Sequence, residues 1–197
     1  MPPPPTHVPD NAVFVGAVLL AAFVYFRAIE TVGSSVWRDS WLQLTVWTHA
    51  IVAAYLLIAW RLSSGTSYAL GLAVLSLALF VCIGRVIFFN NPRLSKFDLA
   101  QDVVTHFVVP AIMISWFVGT RPTSLSTLGL SALYLTNLAF LWFTVNVSFL
   151  NVRSLWVYRS VANPSTGSGR MHLFIMSLVL LSIWLVVTFV ARKRSGQ

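Results

Sequence analysis

The chain has 197 residues, 57% hydrophobic and only 9% charged, with a mean hydropathy of +0.80. That balance excludes a water-soluble globular domain and points to a polytopic membrane protein, since a hydrocarbon layer of ~30 Å is crossed by apolar runs of about 20 residues. The net charge of +8 does not mark a nucleic-acid binder, because the Lys and Arg residues are scattered over the ends of apolar runs rather than gathered with aromatics on one surface.

Residues 1–10 begin Met1-Pro2-Pro3-Pro4-Pro5, which cannot be helical and reads as a polyproline-like tail. The start lacks the basic region and small-residue cleavage site of a signal peptide, so the first apolar run is expected to stay in the mature protein. Apolar runs then fall near 11–29, 41–60, 67–89, 103–119, 127–150 and 172–191, each bounded by charge, Gly, Pro or Ser. The pattern predicts an all-α fold, a single bundle of six transmembrane helices over residues 11–192, followed by a basic tail at 193–197. Connections this short leave no room for a soluble domain, which places function inside the bundle or on its surfaces. The one cysteine, Cys82, sits in mid-run and excludes both a disulfide framework and a Cys-rich metal site.

With the N-terminus on side A, that side carries Arg61, Arg121 and the cluster Arg192-Lys193-Arg194; side B carries Arg27, Arg38, Arg93, Lys96, Arg153, Arg159 and Arg170. The totals are close, and the compact cluster after the sixth run favours side A as the cytosolic face. The acids are lopsided: Glu30, Asp39, Asp98 and Asp102 fall on side B, and only Asp10 on side A. Side B is therefore the chemically furnished face.

The second and fourth runs both start from side B, so they run parallel, and sequence position converts to depth at ~1.5 Å per residue. Trp41, Thr45 and His49 recur every four residues on one helix face; Asp98, Asp102 and His106 do the same on the other. Thr45 and His106 reach similar depth. A hydroxyl is unreactive near neutrality without a base, and the pattern allows Thr45 as nucleophile, His106 as its base and Asp102, one turn earlier, as the group that orients the imidazole. Ionisable groups inside a membrane raise a functional expectation, although Thr in such helices commonly bonds its own backbone and a single His commonly bridges helices. Arg27 and Glu30, three apart in the first run, either pair locally or turn inward; Arg85, late in the third run, either snorkels or pairs with Asp102. An inward Arg27 or Arg85 would grip a fatty-acid carboxylate, and Glu30 and His49 complete the candidate substrate-binding set. Asn137, Asn146 and Asn151 read as bridges between helices. No cofactor is expected. A haem between His49 and His106, or a metal on His49, Asp102 and His106, is the weaker alternative because the depths of these residues differ.

Four short motifs carry a family resemblance. Tyr25-Phe26-Arg27-Ala28-Ile29-Glu30, Ser40-Trp41-Leu42-Gln43-Leu44-Thr45, His106-Phe107-Val108-Val109-Pro110, and Ser154-Leu155-Trp156-Val157-Tyr158 with the later Gly167, Gly169 and Arg170 occur in that order. Together they resemble the androgen-induced-protein family, which includes the androgen-dependent regulator of tissue factor pathway inhibitor. Pro110 follows His106 by four residues, where the animal members have five, and Arg159 stands where the family has Pro. The resemblance implies a six-helix membrane threonine hydrolase of fatty acid esters of hydroxy fatty acids, with the family's Thr on Thr45 and its His on His106. It implies a lipid or fatty-acyl substrate and a multi-pass integral protein of the endoplasmic reticulum or another endomembrane.

The alternative is a non-catalytic accessory subunit of a larger membrane complex, for example a respiratory complex of the mitochondrial inner membrane. The proline tail and the Asn163-Pro164-Ser165-Thr166-Gly167-Ser168-Gly169 loop would then contact other membrane subunits.

Overall fold

Backbone groups in hydrocarbon must be bonded within the chain, so apolar runs of this length become helices. The computed structural model of the chain describes residues 16, 44–88, 103–120, 126–153 and 165–194. Among them are five helices and no strand: α1 (Leu44–Ile58, continued by a 3-10 turn over Ala59–Arg61), α2 (Ser64–Phe88), α3 (Val109–Gly119, entered through a π-helical turn over Val104–Val108), α4 (Ser126–Arg153) and α5 (Gly167–Arg194). These answer to the second to sixth predicted runs. The first, 11–29, lies outside the described residues apart from Gly16, which is helical. The segments Ser64–Ile87, Thr127–Val145 and Gly167–Arg194 are long and apolar enough to cross a membrane, and Leu44–Ile58 and His106–Gly119 are shorter apolar helices.

Two helices start earlier than the apolar pattern predicts, and capping explains both. The Ser63 hydroxyl accepts the Thr66 amide at 3.3 Å, which begins α2 at Ser64 rather than at 67. The Thr166 hydroxyl accepts the Gly169 amide at 3.0 Å, beginning α5 at Gly167 rather than at 172. A hydroxyl that satisfies a free amide of the first turn stabilises a helix start by about 1 kcal/mol. The glycines read as part of a loop are therefore the first turn of α5. The same correction holds at the far end, where Lys193 and Arg194, read as tail, form the last turn of α5 with Arg192. Three cations there complement the negative end of the helix.

The centre of the bundle is α2, which contacts α1, α3, α4 and α5. Its spanning segment is 56% buried, against 17% for α4 and 11% for α5, so α4 and α5 are peripheral. Packing in lipid is driven by close approach rather than by escape from water, and this favours small side chains. Accordingly Ala69, Gly71, Ala73, Ser76 and Ala78 of α2 are all buried. The main core gathers Val52, Tyr55, Leu72, Leu75, Val109 and Met113 between α1, α2 and α3, closed at one end by Val187 and Ala191 of α5. A second cluster joins Leu44, Phe80, Val81 and Trp142 towards the opposite end, and a third joins Ala73, Leu77 and Leu135. Between the peripheral helices the Trp184 indole N–H donates to Ser131 Oγ at 3.0 Å.

Two contacts fix α1 and the α3 segment as parallel and in register. Thr45 meets His106, 61 positions on, and Tyr55 packs edge-on against Trp116 at the same offset, with ring centroids 5.5 Å apart. Ten residues separate the two contacts on each helix of the pair, about 15 Å of rise. At the Tyr55 end, Arg194 of α5 closes the C-terminus of α3: its Nη2 donates to the Val118 carbonyl at 2.6 Å and its Nη1 to the Phe117 carbonyl, while the guanidinium lies 4.9 Å from the Phe117 ring. A fork of donors suits the carbonyls of a last turn, of which Phe117 also accepts a long bond from the Thr120 amide at 3.4 Å.

Candidate active site

The site grows from a local conflict on the approach to α3. Pro110 has no amide hydrogen, and its ring clashes with the carbonyl four residues back, which belongs to His106. The chain answers by widening one turn: Val104–Val108 is π-helical, and the Val109 amide donates to the Val104 carbonyl five residues back. His106 sits in the middle of that turn. A single π turn re-phases a helix and re-aims its side chains.

The side chain so placed reaches α1. Thr45 Oγ1 and His106 Nε2 are 3.5 Å apart, both half-buried, at the long end of hydrogen-bond geometry. With Nε2 unprotonated, the threonine hydroxyl is the donor. His49, one turn beyond Thr45, is 2% exposed, and Arg85 is half-buried in the last turn of α2. Arg27, Glu30 and Asp102 lie outside the described residues, so the third member of the expected constellation and the first-run charges have no placement. Among the described residues no three His, Cys, Asp or Glu side chains converge as metal ligands.

Hydroxyls elsewhere in the bundle show how unusual the α1 arrangement is. Ser76, Ser115, Thr136, Ser177, Ser182 and Thr188 each donate to the carbonyl four residues back on their own helix, and Ser131 to the one three back. This is the common fate of a hydroxyl in a membrane helix. Thr45 instead turns to another helix. Thr48, three residues further along α1 and 1% exposed, has a hydroxyl oxygen with no hydrogen-bond partner. Two other buried hydroxyls among the described residues share that condition, those of Tyr55 and Tyr68. Both rings pack on Trp116, about 15 Å of helix rise from Thr45.

Asn137, read from the sequence as a bridge between helices, is corrected by its geometry: its amide donates at 2.8 Å to the Leu133 carbonyl of its own helix, on an exposed face. The same local bonding that quiets the serines disposes of it. The sequence also gave no weight to Thr48. The available signal was its spacing of three from Thr45, which puts the two hydroxyls on neighbouring positions of one helix surface.

Set beside protein-family models, curated proteins and solved structures, the chain matches none of them.

Proposed function

We propose that the protein is an intramembrane lipid-ester hydrolase in which Thr45 is the nucleophile and His106 its general base. The observation that carries this reading is the 3.5 Å approach of Thr45 Oγ1 to His106 Nε2, two residues 61 positions apart in sequence. Seven serine and threonine hydroxyls of the other helices are spent on carbonyls of their own helix, whereas this one faces a base. Hydroxyl-to-base contacts in resting sites are commonly long and shorten when substrate fills the site.

In the forward step His106 Nε2 accepts the Thr45 proton as Oγ1 bonds to the ester carbonyl carbon, and the carbonyl π pair moves onto oxygen. Collapse of the tetrahedral adduct breaks the ester C–O bond. The leaving alkoxide takes the proton from His106, leaving an acyl-threonine. Water then repeats the sequence on the same base and releases the fatty acid. The order of four short motifs that resembles the androgen-induced-protein family supports fatty acid esters of hydroxy fatty acids as the substrate class.

The test is hydrolysis of a long-chain fatty ester by the purified chain in detergent, with Thr45→Ala and His106→Ala alongside and the folding of each checked. Loss of turnover in both variants supports the pair; turnover that survives both, or an inactive parent of intact fold, overturns it.

A second reading, an accessory subunit of a membrane complex, draws on the wide apolar faces of the peripheral helices, where Phe140, Leu141, Phe174 and Phe189 are exposed. Recovery of the chain only in company with other subunits after mild solubilisation would favour it.

A further inference from the structure

Ester hydrolysis through a threonine needs more than a base. Negative charge develops on the carbonyl oxygen, and a donor fixed in advance at that position is usually the largest contribution to rate. Apart from the hydroxyl of Thr45 itself, the α1 surface beside the nucleophile offers one hydroxyl in a fitting condition.

We infer that Thr48 is the oxyanion donor of the Thr45–His106 site, an assignment that rests on the hydrolase reading. Three observations converge. Thr48 stands three residues from Thr45 on the same helix, where side chains are neighbours with Cβ atoms about 5–6 Å apart. Its hydroxyl is buried and lacks any partner, whereas other serines and threonines of the bundle are bonded to their own helix carbonyls, so its proton is not committed to another acceptor. The two other unpartnered buried hydroxyls among the described residues, on Tyr55 and Tyr68, gather on Trp116 at the far end of α1 and are out of reach of the same atom.

An unpartnered hydroxyl in an apolar interior is unfavourable, and a valine of the same shape would remove that cost. A threonine that serves only packing has no use for the oxygen. One that meets a developing oxyanion does, because the donor is then satisfied in the transition state and not before it, which is the condition for raising kcat rather than tightening substrate binding. As the carbonyl π pair moves onto oxygen, the Thr48 O–H donates to that oxygen without giving up its proton. The donation relaxes when the carbonyl re-forms and the alkoxide departs with the proton held by His106.

The test compares Thr48→Val, which keeps the shape and removes the donor, with Thr48→Ser, which keeps the donor. Turnover of 4-nitrophenyl palmitate by the full chain in detergent is measured beside thermal unfolding and inhibition by a long-chain trifluoromethyl ketone, which forms a tetrahedral adduct. Thr48→Val is expected to lower kcat about 10²- to 10³-fold with KM within about threefold, as for loss of one oxyanion donor. It should weaken the ketone by a similar factor and leave Tm unchanged or higher. Thr48→Ser should stay within about tenfold of the parent.

An active Thr48→Val in a background where Thr45→Val is dead overturns the inference and spares the hydrolase reading. A Thr48→Ser variant as impaired as Thr48→Val, or a Thr48→Val that loses Tm along with kcat, makes the residue structural and also overturns it. A parent without turnover, or one that survives Thr45→Val, removes the reading and the inference together.

Discussion

Gly71→Ala tests how the spacing of α1, α2 and α3 supports the site. Gly71 is buried on α2, and a methyl group there would fall inside contact distance of the Trp116 indole edge and 2.5 Å from Tyr55 Oη. Ordinary carbon contacts begin near 3.4 Å, so the overlap is about 1 Å on both α1 and α3 at once. Overpacking of this kind costs typically 1–3 kcal/mol, and the gain of replacing glycine by alanine in a helix, at most about 1 kcal/mol, offsets only part of it. A net loss of about 1–2 kcal/mol corresponds, for a chain of this size, to a fall in Tm of roughly 2–8 °C, read by tryptophan fluorescence during thermal unfolding in detergent. Trp116→Ala removes the indole that the methyl meets. In that background Gly71→Ala should cost at least 1 kcal/mol less, a coupling measurable by a double-mutant cycle. The strain falls on the two helices that carry Thr45 and His106, so turnover should drop together with stability. Additive Tm changes, or a Gly71→Ala chain as stable as the parent, would refute the packing argument.

Arg194→Ala removes two charge-assisted bonds to the last carbonyls of α3 and a contact with Phe117. At this half-buried position it should lower Tm by about 2–5 °C, an effect Arg194→Lys only partly restores because an ammonium cannot reproduce the fork. Pro110→Ala relieves the clash that the π turn answers, and a return to α-helical phase would rotate His106 by about 100°. Turnover should fall at least tenfold while Tm holds or rises, and full turnover would sink the link between Pro110 and the site. Turnover should also decline as the medium is acidified, since a protonated imidazole cannot accept the Thr45 proton. In His106→Gln any residual rate should lose that limb of the pH profile.

Much of this architecture could be read from the chain because its signals are local. Apolar runs of bilayer length give the order of helices, and alternation of direction makes the second and fourth runs parallel. A fixed rise per residue then sets Thr45 and His106 at one depth, and the structure brings them to 3.5 Å. Features that depend on a contest between local and distant forces were not legible. Ser63 and Thr166 look like loop residues until an amide of the next turn claims them. Pro110 marks a break but does not say whether the helix will kink, stop or widen, and the π turn that re-aims His106 is one outcome among these. The central place of α2 is written in Ala69, Gly71, Ala73 and Ser76, small residues whose meaning appears only when neighbours close on them. The condition of the Thr48 hydroxyl is a matter of rotamer and surroundings, which no spacing rule supplies. Asp102, Arg27 and Glu30 stand outside the described residues, and their roles rest on the sequence alone.

The measurement closest to the central claim is covalent trapping of the nucleophile. The purified chain is treated with a long-chain fluorophosphonate, and the modified residue is mapped by peptide mass spectrometry. A phosphonyl adduct on Thr45, absent in Thr45→Val and slowed at least a hundredfold in His106→Gln, is the result the Thr45–His106 mechanism predicts. No adduct, an adduct on another residue, or labelling of Thr45 at an unchanged rate without His106 would contradict it.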